Sequence, residues 1–491
     1  MHDFRKSLAL LLTATSLAGC AVGPDYHRPE LAAPPAYIGS AAVTARPDRD
    51  GIAALDWWAR FNDPVLTSLV EKALAQNLDI AQAAARVTQA RASLRSADAA
   101  LLPSASLSGS AAAVHQSLET PTGRIASTVP GFDRDGQLYE ANLGASWEID
   151  LFGGLRRGHE AARAEYQASQ AGVAGARIAV TAQVADTYVS IRGLQDRLSV
   201  AQEQRDTQQR LVDIVRLQYD KGIAAELQLR QAEGALAQVE ASVPVLQSAL
   251  DVAMNALDVL LGAQPGTYRP LLAGASSIPA APAIVDTGSP ADLLRRRPDL
   301  IVAERKLAAS NARIGVAISE YFPKFSLSGL IGSATTVGGN MFTGGANQAQ
   351  GVLGLRSRLF DFGRVDAQIA AARGANAEAL AAYRLAVLRA SEDVENAFSA
   401  LVQREAQSAM LARGEAALIR AQTASLAAYK GGVVSLVEVL DADRRLLDTR
   451  DARAQARSEA ARAAIASYRA LGGGWQAPAE LAAYTASAAQ P

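Results

Sequence analysis

Hydrophobic positions along this chain follow two periods in turn. From 139 to 151 one side of an extended segment reads Tyr139, Ala141, Leu143, Ala145, Trp147, Ile149 and Leu151; the other reads Glu140, Asn142, Gly144, Ser146, Glu148 and Asp150. Period two predicts a strand with one apolar face. Ala105, Leu107, Gly109 and Ala111 alternate with Ser104, Ser106, Ser108 and Ser110 in the same way. Phe325, Leu327 and Ile331 form a third row, and Leu353, Leu355 and Leu359 a fourth. Strands are therefore expected at about 104–113, 138–152, 324–336 and 352–361, paired across Gly-, Thr- and Pro-rich loops at 115–137 and 337–351.

Elsewhere the period is helical. Stretches 154–219 and 364–429 contain no proline, and each would extend about 99 Å as a helix. Val184, Ile191 and Leu198 recur every seven residues, as do Leu380, Val387, Val394 and Leu401, the spacing that left-handed coiled coils require. A shorter helix of about 40 residues is expected after each, at 223–262 and 433–472, and one of about 25 before each strand pair, at 77–102 and 298–322. Laid end to end, a pair of shorter helices matches a long one. Pro244 is expected to bend its helix. After residue 20 no uninterrupted run of 18 apolar residues occurs, so no membrane-spanning helix is expected, and any spanning would use strands.

The same motif appears twice. Pro-x-x-Ser-Leu-Ser-Gly stands at 103–109 and again, 220 positions later, at 323–329, and the preceding helices share Asp79/Asp299 and Ala92/Ala312. At a shift of 210, Phe152-Gly153 matches Phe362-Gly363, and Tyr219 and Gly222 match Tyr429 and Gly432. The chain reads as a duplicated unit of about 210 residues, too long a period for a solenoid. The first repeat is set at 64–290, with a hairpin tip at about 219–226 and a Pro- and Gly-rich equatorial segment at 263–290. The second is set at 291–475, with a tip at about 429–436, and a tail follows at 476–491.

The N-terminus changes the picture. Arg5 and Lys6 precede an apolar stretch from 8 to 17, which ends in Leu17-Ala18-Gly19-Cys20, and this is the one cysteine among 491 residues. The layout resembles a bacterial lipoprotein signal at 1–19, with Cys20 as the lipidated first residue of an extended segment at 20–63. Ala21, in place of the aspartate that retains lipoproteins in the inner membrane, implies sorting to the outer membrane. In that setting strands of ten to thirteen residues are long enough to cross a bilayer. Four cannot close a barrel, so copies of the chain must pool them.

Composition narrows the chemistry. The chain is 49% hydrophobic but only 5% aromatic, with a formal net charge of −1, a balance that suits packed alanine-rich helices and provides no electrostatic pull on nucleic acid. His2, His27, His115 and His159 are scattered without metal-ligand spacing, and there is no Gly-x-Ser-x-Gly elbow or Walker loop, so neither a metal site nor an enzyme is expected. No cofactor is expected either.

Five ordered motifs carry a family resemblance: the stretch from Trp57 to Ala92, Ser146 to Arg157 (SWEIDLFGGLRR), Leu294 to Leu300 (LRRRPDL), Val439 to Leu447 (VLDADRRLL) and Ala470 to Trp475 (ALGGGW). Together they resemble the TolC-like outer-membrane efflux factors, most closely the lipidated NodT-type branch that serves resistance-nodulation-division pumps. The resemblance implies a mainly α fold with membrane β: a homotrimer whose long antiparallel helices form an α-barrel tunnel beneath a shared twelve-stranded barrel, four strands per chain. It implies a passive outer-membrane duct for small molecules, fed by a periplasmic adaptor and an inner-membrane pump. Type I export driven by an ABC pump is the alternative, and a non-conducting coiled-coil lipoprotein a second.

The resemblance also places residues. The adaptor would dock on the hairpin tips, at Gly222, Ile223, Ala224, Gly432, Val433 and Val434. Glu438 and Asp441, three apart and so on one helix face, fall at the family's acidic constriction. Three copies would converge six carboxylates, which favours cations and raises the pKa of some of them. Where some relatives carry an arginine and an aspartate that lock the closed end, this chain has Val434 and Gln228. Tyr429 is retained, and a hydrogen bond from it to Gln228 is the lock expected here.

Overall fold

The computed structural model describes residues 21–30, 34–46, 54–274, 277–282, 284 and 289–475. The signal stretch, Cys20 and the tail from 476 lie outside the described residues. The chain divides into two compact units.

The first unit takes in Met1–Pro29, Thr88–Ala168 and Glu304–Ala382. It holds four strands, β1 (Ser104–His115), β2 (Asp135–Ile149), β3 (Lys324–Thr335) and β4 (Asn347–Arg356), and a short helix α4 (Pro121–Ala126) within the stretch between β1 and β2 that was expected to be loop. They form one antiparallel sheet in the order β1-β2-β3-β4, which leaves β1 and β4 as its edges. Register sorts the side chains cleanly: Leu107 lies opposite Leu143, which lies opposite Ile331, and Ser108 opposite Asn142, which lies opposite Gly332. The apolar row, including Leu107, Leu143, Ile331, Leu353 and Leu355, is exposed.

β4 lies about five residues earlier than its leucine row suggested. Its register with β3 ends where Lys324 meets Arg356, just after Pro323, which has no N–H to extend a ladder. Leu359, expected in the strand, is in coil and exposed. β2 also ends early, at Ile149, because Asp150 turns away to accept a hydrogen bond from the Arg156 amide at 2.9 Å.

The helices leading into and out of this sheet are α3 (Leu78–Ala100), α5 (Gly154–Asp220), α9 (Pro298–Ser319) and α10 (Arg364–Lys430). Within the first unit, small residues let them approach closely, with Ala161, Ala164, Ala308, Ala309 and Ala312 buried together. Residues 21–29 lie across this alanine seam as a strap. Val22 N donates to Phe152 O at 3.0 Å, and the Tyr26 hydroxyl to Glu304 at 2.6 Å. The buried Arg157 guanidinium donates to Val22 O, Gly23 O and Asp25 at 3.2, 3.3 and 2.7 Å. A Cβ on Gly23 would sit 2.5 Å from Gly315 Cα, so the strap passes only over glycine.

The second unit comprises Glu30–Val87, Ser169–Ala303 and Tyr383–Pro491. It adds α1 (Ser40–Thr44), α2 (Pro64–Gln76), α6 (Glu226–Leu260), α7 (Arg269–Leu272), α8 (Leu293–Arg296) and α11 (Leu436–Ala470). Asp63 caps α2, accepting from Val65 N and Leu66 N at 2.9 and 3.1 Å, with Pro64 at the first helical position, where the missing N–H is harmless. The main core gathers Trp57, Phe61, Leu66, Leu69, Tyr188, Ile191, Leu257, Phe398, Leu401 and Ile465, and Trp57 stacks on Tyr468 at 5.5 Å. Ile278 and Ile284, from the segment expected at the equator, are buried in the same core.

α5 and α10 are each 67 residues and α6 and α11 each 35, so the order helix, strand, strand, long helix, shorter helix is written twice. α6 continues through Pro244. By length and composition alone α6 is, among the described residues, the one helix that could cross a bilayer, although it too lacks an uninterrupted apolar run; only 22% of its most apolar 18-residue window is buried in the chain. Val245, Val252 and Val259 are exposed and recur every seven residues, the spacing of a helix-packing seam.

Candidate functional site: the paired helix turns

Both long helices stop in the same way. Gly222 and Gly432 each adopt φ +72°, a conformation in which a Cβ is penalised. Ile223 N then donates back to Gln218 O at 2.8 Å, and Val433 N to Ala428 O at 2.9 Å. These two turns connect α5 to α6 and α10 to α11, and they share a small core of Leu211, Val212, Val215, Leu229, Ala232, Tyr429, Leu436 and Val439. Ala224 and Val434 pack against that core. Ile223 and Val433, by contrast, are 73% and 79% exposed, and Leu227 and Val437, four residues on, are exposed too. Each turn thus presents a pair of apolar side chains to solvent.

Tyr429 makes a different bond from the one expected. Its hydroxyl donates to Gln218 Oε1 at 2.8 Å, and the Gln228 side chain instead accepts from Ala225 N at 3.1 Å. The reason is local: Gln228 stands three residues after Ala225, which precedes α6, and folds its side chain back onto that residue's backbone N–H. The tyrosine bond therefore ties α10 to α5 directly. Burial pushes the Tyr429 phenol up.

The two acidic residues sit in the first turns of α11 and are exposed, but each is already engaged. Glu438 accepts from the Ser435 hydroxyl, which holds its carboxyl below the usual glutamate range. This is opposite to the rise expected from converging copies, and it arises because within one chain the capping hydroxyl and amide favour the ionised form. Asp441 pairs with Arg445 at 2.8 Å on the same helix face. Nearby, Arg216 and Arg230 both bond Glu233, at 2.7 and 2.9 Å, across the α5–α6 hairpin and along α6.

One group here was not anticipated. Asp443 is only 4% exposed, bonded by Gln422 Nε2 at 2.8 Å, and its burial raises the carboxyl pKa. The signal was present: Leu436, Val439, Asp443 and Leu446 are spaced three, four and three apart, so the aspartate occupies a seam position that otherwise takes leucine or valine. Among the described residues no group of three or more His, Cys, Asp or Glu is arranged to hold a metal ion.

Comparison with known proteins accounts for this architecture. The family model described as outer membrane efflux protein matches residues 69–263 and 290–473. Nodulation protein T of Rhizobium leguminosarum bv. trifolii is 32% identical over 94% of this chain and 95% of its own length. The pyoverdine export outer membrane protein OpmQ of Pseudomonas putida is 31% identical, over 96% and 98%. The solved outer-membrane channel OprN superposes with a TM-score of 0.84 at 34% identity, covering 93% of this chain and all of that one. With its repeated helix-strand order and its sheet of one apolar face, the chain belongs to the outer membrane efflux protein family.

Proposed function

We propose that the chain is one third of a lipid-anchored outer-membrane duct, in which three copies close a twelve-stranded barrel and continue it as a helical tunnel toward a periplasmic adaptor and a resistance-nodulation-division pump. The observation that carries this reading is the sheet. Its four strands have an exposed apolar face and two unpaired edges, a surface suited to lipid on one side and to further strands at both ends. Serines and glycines dominate the opposite face, which suits a water-filled lumen. The heptad-spaced valines on α6 supply a matching seam for a neighbouring copy.

The strap gives the lipid anchor a place. Ala21 packs against Gly153 at the junction of β2 and α5, so a lipidated Cys20 would enter the bilayer beside the base of the barrel. In the same reading the apolar turns at Ile223 and Val433 meet the adaptor, and Glu438 and Asp441 line the constriction. Efflux rather than type I export is favoured by the family and by relatives named for efflux and export channels.

Conductance separates a duct from a non-conducting coiled-coil lipoprotein. Purified protein in planar bilayers is expected to give stepwise single-channel currents, and silence from intact trimers would overturn the reading. Photo-crosslinkers at Ala224 or Val433 should capture an adaptor; capture confined to 263–290 would remove the tip assignment.

A further inference from the structure

Phe362 is fully exposed, at 101%, with Leu359 and Phe360 beside it nearly as bare. Its counterpart in the first repeat, Phe152, is not bare at all. It stacks on Phe322 with ring centroids 4.6 Å apart. The repeat shifts that carry Phe152 to Phe362 and Leu102 to Phe322 therefore leave two orphans, Phe362 and Leu102, the latter 64% exposed. They stand at the ends of the two edge strands.

The two shifts reproduce observed contacts within the chain. Asn77 donates to Leu260 O at 2.8 Å; shifted by 220 and 210 these become Arg297 and Ala470, and Arg297 donates to Ala470 O at 3.3 Å. A Cβ on Gly262 would meet Gln76 O at 2.8 Å, and one on Gly472, its shifted counterpart, would meet Arg296 O at 2.6 Å. Strand register obeys the same rule. Ser104 faces Ser146 across β1 and β2, and the shifted pair, Lys324 and Arg356, face each other across β3 and β4.

From this we infer that β4 of one copy pairs with β1 of the next in one defined register, with Gly354 opposite Ser110 of the neighbouring copy, and that the pairing extends β4 to Leu359 and seats Phe362 on the neighbour's Leu102. The register follows from the β2–β3 pairing, where Gly144 faces Leu330 and Ile149 faces Phe325. The same shifts convert these into Gly354 with Ser110 and Leu359 with Ala105. It also explains why the leucine row of β4 runs past the strand seen in one chain: 357–359 have no partner until a second copy supplies 105–107. The inference rests on the assembly of copies proposed above and adds the residues by which they join.

Cysteine pairs test it, because the single natural cysteine, Cys20, lies far from these positions in sequence and the parent chain serves as the blank. The full-length double variants Gly354→Cys/Ser110→Cys and Leu355→Cys/Gly109→Cys are neighbouring matched pairs, one from each class of antiparallel position. Gly354→Cys/Ala112→Cys is displaced by two residues. Directly opposed Cα atoms lie within about 5.5 Å, whereas diagonal neighbours lie near 7–8 Å, beyond disulfide reach, so at least one matched pair should give about tenfold more intermolecular disulfide on mild oxidation than the displaced pair. Sedimentation of the unoxidised protein reports assembly separately. Trimers in which the displaced pair links as well as the matched ones, or in which neither matched pair links, overturn the register while leaving the assembly standing. Monomers before oxidation overturn both.

Discussion

At the scale of single residues, Asp443 is the group with the clearest consequence. Its carboxyl is buried, with the Gln422 amide as its one partner among the described residues, and desolvation raises its pKa. The folded chain therefore holds this proton more tightly than the unfolded chain does. The stability contributed by the protonated form is present below the ordinary aspartate range and is lost as pH rises from there through the raised value. Asp443→Asn keeps an acceptor for Gln422 and removes the charge, so it should stabilise the α10–α11 hairpin at neutral pH and flatten the loss of stability as pH rises from the ordinary aspartate range to neutral. Thermal melts of parent and variant across that range check this; a variant less stable than the parent at pH 7 counts against a buried charge. Glu438 and Asp441 lead to a different measurement. Replacing both with alanine should weaken cation preference and block by multivalent cations while leaving stability nearly unchanged, since both are exposed and the Asp441–Arg445 pair is a surface one. Reversal potentials under a salt gradient decide it. If selectivity survives this change but is lost on changing Glu148, the constriction lies in the sheet.

At the scale of elements, the helix turns are the most constrained pieces of backbone. Gly432 at φ +72° has nothing within 4 Å of an added Cβ, so the cost of Gly432→Ala is conformational and should be roughly 1–2 kcal/mol. That loss belongs to the tip, and amide exchange should quicken around 428–436 while the Trp57–Tyr468 core keeps its protection. Faster exchange throughout the second unit would mean that the turn supports the whole unit. The strap is the complementary case, an irregular segment held by the Arg157 guanidinium. The period-two rows identified the strands from sequence, but the end of β4 depended on its neighbour: Leu359 belongs to the alternating row yet lacks a partner strand within the chain.

At the scale of the whole molecule, anchoring and assembly should separate. In the lipid-anchored assembly proposed above, Cys20→Ser would remove the acyl chains, each methylene of which contributes about 0.8 kcal/mol of membrane affinity, while leaving the sequence of every strand unchanged. The variant should still form trimers, as measured by sedimentation in detergent. A soluble monomer with native helix content would count against a shared barrel. Membership of the outer membrane efflux protein family agrees with the fold class and the outer-membrane duct expected from the motifs.

Periodicity alone determined that four strands and two long helices exist and roughly where they run, though not where each ends, because a residue's face is set by a local geometric period that needs no partner. The sequence also carries the repeated motifs and the two glycines, Gly222 and Gly432, at which the long helices stop, since a left-handed turn selects glycine locally. What only the tertiary structure decided were pairings between distant residues. Tyr429 bonds Gln218 rather than Gln228 because Gln228 is consumed in capping its own helix. Asp443 is buried because the seam of α11 packs there. Each depends on which of several chemically equivalent partners the packed backbone brings within about 3 Å, a distance that no local period encodes.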